Sequence, residues 1–262
     1  MKISCIQMDM RLGDVNYNFF HAGGLIRATV KREQPDTVVL PEMWNTGYFP
    51  EDLAAFADRE GDRTKAVFSA LARELNVNIV CGSVANRRPD GFYNTAYVFD
   101  RTGAVAAEYD KTHLFTYAGE HKHFRAGSRA CRFTLDSQSC GLIICYDLRF
   151  PELIRTLALE GISLLFVVAQ WPDKRITHLE TLARARAIEN QVFLALCNSV
   201  GTAGEVHCGG HSAIIDPWGE YLALAGESEE VITGRLDFSV IQGIRDSIHV
   251  FRDRRPELYN TK

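Results

Sequence analysis

Short, continuously apolar runs recur along this chain and alternate with stretches of helical periodicity. The runs TVVLPE (37–42), GLIICYD (141–147) and SLLFVVA (163–169) are of the first kind, and such β-branched and aliphatic runs are typical of strands buried on both faces. The stretches 15–33 and 63–75 are of the second kind, because their apolar residues recur on one helix face. Strands and helices that alternate in this way predict a layered α/β protein.

Turn and capping residues set the expected boundaries of these elements, with Asp14 as the N-cap of the first helix and Pro151 at the first position of a later one. The other predicted elements are strands at 2–9, 77–84 and 191–200, hairpins turning at 100–103 and 136–139 and within 211–225, and helices at 177–190 and at 238–248, the last capped by Asp237. The sequence contains no Pro/Ser-rich linker and no repeat. We therefore expect residues 1–262 to form a single domain.

Charge and hydrophobicity exclude several classes of protein. Lys and Arg number 29 against 33 Asp and Glu, for a net charge of -4, so the chain lacks the basic surface that nucleic acid binding requires. Its apolar runs fall far short of the roughly 20 residues that span a bilayer. Its first residues lack the apolar core of a signal peptide. We expect no nucleic acid partner, no membrane insertion and no export.

The cysteines indicate a reducing compartment. There are seven of them, an odd number without regular spacing, and most lie inside apolar strand-like runs. Cysteines of this kind are typical of reduced, intracellular proteins, which predicts a cytoplasmic location. Cys131 and Cys140 flank a predicted turn and can face each other across that hairpin, but two reduced strand cysteines are the favoured interpretation.

Three chemically reactive side chains follow predicted strands: Glu42, Lys111 and Cys145. Each has an ordinary explanation by itself, as a loop acid, a solvated cation and a core cysteine. Together they supply a nucleophile, a base to accept its proton and a cation to stabilise the negative charge on an attacked carbonyl. Since sites of α/β proteins form at strand ends, this combination predicts cysteine-dependent catalysis.

At these positions the sequence resembles the nitrilase superfamily of carbon-nitrogen hydrolases. The segments that carry the resemblance are LPEMWNTGY, YDKTHLF, GLIICYDLRFPEL, AQWP, RARAIENQVF and GHSAIIDPWGE, which together extend over nearly the whole chain. The resemblance implies a four-layer α-β-β-α sandwich in which Glu42 is the general base, Lys111 stabilises the tetrahedral intermediate and Cys145 is the nucleophile. It also implies that Glu120, from GEHKHFRAG, supports the lysine, that the N–H of Tyr146 joins the oxyanion hole, and that no cofactor is required.

The segments CYDLRFPEL and AQWP resemble most closely the omega-amidase branch of this superfamily, which acts on small dicarboxylate monoamides such as 2-oxoglutaramate. True nitrilases usually carry Trp and Glu where this chain has Tyr146 and Asp147, so nitriles are disfavoured as substrates. A substrate carboxylate requires a cation, and Arg149 is the candidate, with a structural salt bridge as its alternative role. Trp171 and Tyr48 are candidate pocket walls, with simple packing as the alternative. The resemblance further implies a homodimer or larger homo-oligomer.

Two other hypotheses remain open at the level of sequence. The pattern His207-Cys208-x-x-His211, together with His121 and His123, suggests a metal site, but it matches no recognised zinc spacing, and we expect no bound metal. The other hypothesis is a catalytically silent binding protein on the same fold, which the intact cysteine, lysine and glutamate disfavour. Among enzymes, an aliphatic amide, an N-carbamoyl compound or a nitrile is the alternative substrate.

Overall fold

The computed structural model describes residues 1–48 and 51–259. Its strands are β1 (Lys2–Gln7), β2 (Thr37–Val39), β3 (Asp58–Arg59), β4 (Asn78–Arg88), β5 (Gly91–Phe99), β6 (Val105–Asp110), β7 (Cys131–Leu135), β8 (Gln138–Ile144), β9 (Leu164–Val168), β10 (Phe193–Cys197), β11 (Val200–Ala203), β12 (Val206–Gly209), β13 (Ala213–Ile215), β14 (Tyr221–Leu224) and β15 (Glu230–Arg235). Its α-helices are α1 (Val15–Glu33), α2 (Leu53–Phe56), α3 (Asp62–Leu75), α4 (Pro151–Leu159), α5 (Ile176–Asn190) and α6 (Val240–Ser247). Single 3-10 turns occupy Thr116–Ala118, Glu120–Lys122, Cys145–Arg149, Asp173–Arg175 and Pro256–Leu258.

The strands form two large mixed sheets and a small hairpin. The first sheet has the order β15-β1-β2-β4-β5-β6, with β3 paired to β4, and the second has the order β14-β13-β10-β9-β8-β7. Pairing is parallel at the centre of each sheet, between β1, β2 and β4 and between β8, β9 and β10. Because parallel strands end at the same edge of a sheet, the loops that follow these central strands are brought together.

The sheets pack face to face, and helices cover their outer faces. Alternate residues of a central strand point to opposite sides: Val38 packs with α1 and α3, whereas Val39 packs against the second sheet. On β9, Phe166 faces the first sheet and Val167 faces α4 and α5. Both faces of these strands are therefore buried, which explains their continuous apolar character and confirms the predicted four-layer α-β-β-α sandwich.

Capping and turn chemistry set the element ends largely as predicted. The Asp14 carboxylate accepts a hydrogen bond from the backbone N–H of Tyr17 at 3.1 Å, so α1 begins at Val15. Pro151 starts α4, where its missing N–H is not needed. The hairpin turn at 100–103 closes through an N–H of Gly103 that donates to the carbonyl of Asp100. These predicted boundaries are confirmed.

Two predicted features are wrong in detail. Asp237 does not cap α6, which begins at Val240. Its carboxylate instead accepts from the backbone N–H and hydroxyl of Ser239 and forms a turn before the helix. The predicted strand at 191–200 ends at Cys197, since the chain leaves the sheet there and starts the β11–β12 hairpin. The favoured interpretation of Cys131 and Cys140 is confirmed: both are free thiols on strands, and they pair with Leu142 and Phe133, respectively, rather than with each other.

The described part of the chain carries its cysteines as free thiols. Within that same part, no helix combines the length and the apolar character that crossing a membrane requires.

A bulge in β4 holds the turn that follows β2. The strand register shifts between Val80 and Ser83, and Gly82 within the bulge has a φ of 60°. There the backbone approaches β2 so closely that a Cβ on Gly82 would lie 1.9 Å from the carbonyl oxygen of Pro41. The bulge then receives hydrogen bonds from the turn, with the N–H of Met43 donating to the hydroxyl of Ser83 at 3.0 Å. Glycine is required here both for its φ and for the space.

This contact predicts the effect of two alanine substitutions. Gly82→Ala forces the backbone of Pro41 and Glu42 outward and should lower the free energy of unfolding by at least about 2 kcal/mol. Gly23→Ala is the matched control, because Gly23 lies in α1 and a Cβ on it would have no other atom within 4 Å, and it should raise that free energy by about 0.5–1 kcal/mol. Urea unfolding followed by circular dichroism measures both, and equal effects of the two substitutions would contradict the role given to Gly82.

Candidate active site

Three strand ends of the sandwich converge on one buried cluster. Glu42 follows β2, Lys111 follows β6, and Cys145 follows β8. The backbone fixes the first two in place, because the N–H of Glu42 donates to the carbonyl of Ala169 at 3.2 Å and the N–H of Lys111 donates to that of Asn94 at 2.9 Å. Residues that are far apart in sequence, from both sheets, thus line one cavity.

At the centre of the cluster the Lys111 ammonium lies between two carboxylates. Its Nζ is 2.8 Å from Oε1 of Glu42, and 3.0 and 2.9 Å from Oε1 and Oε2 of Glu120. The three residues are only 1–2% exposed. Buried charges persist only when they are paired and hydrogen-bonded, and here each carboxylate meets the same cation.

Further donors complete the hydrogen bonding of the two carboxylates, including Oε2 of Glu42, which Lys111 does not contact. The side-chain amide of Asn94 donates to Glu42 at 2.8 Å and to Glu120 at 3.1 Å. The backbone N–H of Gln170 donates to Oε2 of Glu42 at 2.9 Å, and that of Phe115 donates to Oε2 of Glu120 at 2.6 Å. The orientation of both carboxylates is therefore fixed by the backbone of neighbouring loops.

Cys145 occupies a strained turn between β8 and the 3-10 turn that follows. Its φ is 46°, in the left-handed region that costs a residue with a side chain about 1–3 kcal/mol. This conformation turns the thiol away from the sheet and into the cavity beside Glu42 and Lys111. Tyr146 lies in the first turn after it, where a backbone N–H has no acceptor within the helix and is available to a ligand.

Burial and charge set the protonation states of the cluster. Burial, with the nearby Glu42 carboxylate, raises the pKa of the Cys145 thiol well above its ordinary value, although Lys111 opposes the shift. Burial also raises the pKa of Glu42, and Glu120 adds to this effect while Lys111 opposes it. For Lys111, attraction to Glu42 and Glu120 outweighs burial and raises its pKa. The resting site therefore contains a neutral thiol and a charged ammonium.

Asp147 connects the turn that carries Cys145 to the segment that carries Lys111. Its fully buried carboxylate accepts hydrogen bonds from the N–H of Ile144 at 3.0 Å, the N–H of His113 at 2.9 Å and the hydroxyl of Tyr109 at 2.7 Å. The Thr112 hydroxyl adds a further bond at 3.0 Å. One carboxylate thus fixes the position of the turn with the predicted nucleophile relative to the segment with the predicted oxyanion-stabilising cation.

All the predicted binding residues line the cavity above the cluster. Trp171 is a buried wall that also packs with the core behind it, so it has both of the roles considered for it. Burial raises the pKa of the half-buried Tyr48 above its ordinary value, and Glu42 adds to this shift, so its phenol stays protonated. Arg149 contacts Trp171, and no acidic side chain in the ranges 1–48 and 51–259 forms an ion pair with it.

Two of the histidines that suggested a metal site, His207 and His211, are engaged in other contacts. His207 hydrogen-bonds to Thr202 at 2.9 Å, and His211 to Glu180 at 2.7 Å. Across the described residues, no group of three or more His, Cys, Asp or Glu side chains is arranged to hold a metal ion.

Four contributors to this site escaped prediction from sequence. Asn94 is a polar residue inside an apolar strand, and Asp147 is an acid at the end of one, so an unexplained polar residue in an apolar run was an available signal. Arg175 lines the cavity as well and carried no such signal. Gln170 contributes a backbone N–H, which is present in almost every residue type, so its sequence position gives no sign of this contact.

Comparison with known proteins agrees with this geometry. The family model described as carbon-nitrogen hydrolase matches residues 2–246. The 2-oxoglutaramate amidase of Bacillus subtilis is 41% identical over 257 residues, which are 98% of this chain and 98% of that protein. The omega-amidase NIT3 of Saccharomyces cerevisiae is 30% identical, over 99% of this chain and 95% of that protein.

Solved structures share the same architecture. XC1258 from Xanthomonas campestris, a CN-hydrolase superfamily protein with an arsenic adduct in its active site, is 32% identical with a TM-score of 0.91, covering 97% of each chain. An amidase from Nesterenkonia sp. AN1, in which a glutamate is mutated to glutamine, is 25% identical with a TM-score of 0.87 over 98% of this chain and 95% of that one. In that amidase the acetamide moiety of fluoroacetamide is attached covalently to the active site cysteine.

The contacts of Asp147 predict a large cost for removing its charge. Asp147→Asn keeps the volume but replaces an acceptor oxygen by an N–H₂ group that faces donors, so the free energy of unfolding should fall by about 3 kcal/mol. Asp246→Asn is the matched control, since Asp246 is exposed on α6, and it should change that free energy by less than about 0.5 kcal/mol. Urea denaturation measures both, and a neutral Asp147→Asn variant would disprove the connecting role.

Proposed function

The chain belongs to the carbon-nitrogen hydrolase family, an enzyme class that cleaves amides, and from this membership we propose that it is an omega-amidase. Its substrates are small dicarboxylate monoamides such as 2-oxoglutaramate, and the products are the dicarboxylate and ammonia. The observation that carries the proposal is the buried cluster of Glu42, Lys111 and Glu120 beside Cys145 at the base of a short pocket. The names of the relatives from Bacillus subtilis and yeast support the choice of substrate.

In the first half of the proposed reaction, Cys145 attacks the amide carbon. Since its pKa is raised, the thiol carries its proton at neutral pH and requires a base at the moment of attack. Glu42 takes the proton as the new C–S bond forms. Lys111 and the N–H of Tyr146 donate to the oxygen that becomes negative, with one ammonium N–H turning from Glu120 to that oxygen while Glu120 retains its other contact.

The tetrahedral intermediate then collapses. The C–N bond breaks, and Glu42 returns its proton to the nitrogen, so that ammonia leaves and a thioester remains on Cys145. In the second half, Glu42 removes a proton from water, and the water oxygen attacks the thioester carbon. The C–S bond breaks, the thiol is restored, and the acid product departs. Electrons and protons balance within these residues, water and the amide.

The pocket walls support recognition of a carboxylate at the far end of the substrate. We propose that Arg149 binds this carboxylate, because its guanidinium lines the pocket and forms no ion pair within the described parts of the chain. Trp171 holds the guanidinium from one side, with its ring centroid 4.6 Å from Cζ. Tyr48, protonated at physiological pH, supplies a hydrogen-bond donor on another wall.

Three coarser features complete the proposal. We propose that residues 1–262 form one carbon-nitrogen hydrolase domain, that the protein works in the cytoplasm, and that it assembles as a homodimer or larger homo-oligomer. The family match over residues 2–246 supports the first, and the odd number of cysteines, all of them free thiols, supports the second. Size-exclusion chromatography with light scattering tests the third.

Ammonia release from a panel of substrates tests the proposed activity. We expect 2-oxoglutaramate and succinamate to exceed simple aliphatic amides, N-carbamoyl amino acids and nitriles in kcat/KM by at least about 10-fold. Cys145→Ala should reduce turnover by at least about 1000-fold, whereas Cys131→Ala, a buried cysteine on β7, should retain activity within a few-fold. Nitriles or carbamoyl compounds as preferred substrates would refute the omega-amidase assignment, and full turnover by Cys145→Ala would refute the thioester route.

The pKa shifts predict the pH profile of kcat/KM. Glu42 acts as a base only when deprotonated, and its pKa is raised, so activity should fall on acidification at a pH clearly above the ordinary glutamate value of about 4.3. Steady-state kinetics with succinamate from about pH 4 to 10 measure this fall in activity, and a midpoint at the ordinary value would show that Glu42 is not the limiting base.

A further inference from the structure

The substrate pocket contains a second guanidinium besides that of Arg149. Arg175, on the 3-10 turn before α5, lines the same cavity as Cys145 and Arg149. Neither arginine forms an ion pair with any acidic residue in the ranges 1–48 and 51–259. Two cations without a counter-anion therefore face one small cavity.

Arg149 is held by uncharged groups. Its guanidinium stacks on Trp171 with a distance of 4.6 Å from Cζ to the ring centroid, and one terminal nitrogen lies 3.3 Å from Nδ1 of His178. Stacking occupies the flat face of a guanidinium and leaves N–H groups at its edge available for a carboxylate. Burial lowers the pKa of Arg149, and the positive charge of Arg175 lowers it further.

Arg175 is held in a similar manner at the mouth of the pocket. Its Cζ lies 5.4 Å from the ring centroid of Phe115 and 5.6 Å from that of Tyr117. Its carbonyl accepts the indole N–H of Trp171 at 2.9 Å, so the backbone of this turn is tied to the pocket wall. Among the described residues, the guanidinium itself has no hydrogen-bond acceptor within range.

The two acids of the buried cluster are already committed to other partners. Glu42 and Glu120 direct their oxygens to Lys111, Asn94 and backbone N–H groups. The lining of the pocket thus carries three cations, Lys111, Arg149 and Arg175, against the single carboxylate of Glu42. An anionic ligand between the two guanidinium groups would relieve their mutual repulsion and gain charge-assisted hydrogen bonds from both.

We propose that Arg175 is a specificity-determining residue, which together with Arg149 binds the substrate carboxylate and makes the enzyme prefer acidic amides over neutral amides of equal length. The inference rests on the proposed amidase function of this pocket. Arg149, which stacks on Trp171, binds one side of the substrate carboxylate. Arg175, on the 3-10 turn before α5, binds the other side. Because a neutral amide makes no use of this pair, removal of Arg175 should weaken only the acidic substrates.

The test compares glutaramate with pentanamide, which has the same number of carbons and a methyl group in place of the carboxylate. We expect Arg175→Gln to lower kcat/KM for glutaramate by about 30-fold or more, mainly through KM, and to change that for pentanamide by less than about 3-fold. Arg175→Lys keeps the charge without the planar fork and should lie between wild type and Arg175→Gln. Lys174→Gln is the matched control, because Lys174 is an exposed cation of the same turn that does not line the pocket, and it should preserve both values.

A second measurement separates this inference from the proposed function. Glutarate should slow the alkylation of Cys145 by iodoacetamide in the wild type, and this protection should be lost in Arg175→Gln. One possible outcome is that the wild type releases no ammonia from glutaramate, while glutarate still protects its Cys145 and fails to protect that of Arg175→Gln. This outcome refutes the proposed activity and supports the anion site. Equal losses of glutaramate and pentanamide turnover in Arg175→Gln, or protection that persists in that variant, would overturn the role of Arg175.

Discussion

The contact on which this structure depends is the buried ammonium of Lys111 between the carboxylates of Glu42 and Glu120. Removing three charges from water is costly, and mutual attraction compensates only when the remaining hydrogen-bonding capacity is also satisfied. Asn94 and two backbone N–H groups provide that capacity. The cluster is therefore stable only in a framework that fixes both sheets relative to each other, which explains why so many of the polar contacts in this molecule are buried at one edge of the sandwich.

The sandwich provides this framework through the direction of its strands. Parallel pairing at the centre of each sheet brings successive loops to one edge, and the close approach of Gly82 to Pro41 fixes the turn that carries Glu42. On the opposite sheet, Asp147 fixes the strained turn that carries Cys145. The two turns are thus held independently, one by backbone contact and one by a buried carboxylate, and the acid and the thiol meet because the sheets pack face to face.

Sequence alone predicted the layered fold, the main helices and the residues of the cluster, because each of these has a local signal: apolar periodicity, Asp14 and Pro151 as caps, and motifs around Glu42, Lys111 and Cys145. It could not predict contacts that arise from three-dimensional packing. A backbone N–H such as that of Gln170 is present in almost every residue type, and Arg175 is an ordinary surface-type residue until the fold places its guanidinium over Phe115 and Tyr117. Asp237 shows the converse case. It is a suitable N-cap residue type, but its carboxylate accepts a hydrogen bond from Ser239 in the turn before the helix instead of capping α6.

The cations of the pocket fall into two groups with different surroundings. In the proposed function, one group takes part in the reaction and the other binds the far end of the substrate. Lys111 pairs with Glu42 and Glu120, so its charge is compensated before any substrate enters, and in the proposed reaction it holds Glu42 and stabilises the transient oxyanion. Arg149 and Arg175 have aromatic neighbours and, within the described residues, no acid, so their charge is compensated only by a ligand. If the proposed roles hold, a protein that kept Lys111 and its carboxylates but changed Arg149 and Arg175 would still hydrolyse amides while accepting a different group at the far end of the substrate, because in this proposal the sheet edges carry the reacting groups and the turn at Asp173–Arg175 carries a specificity residue.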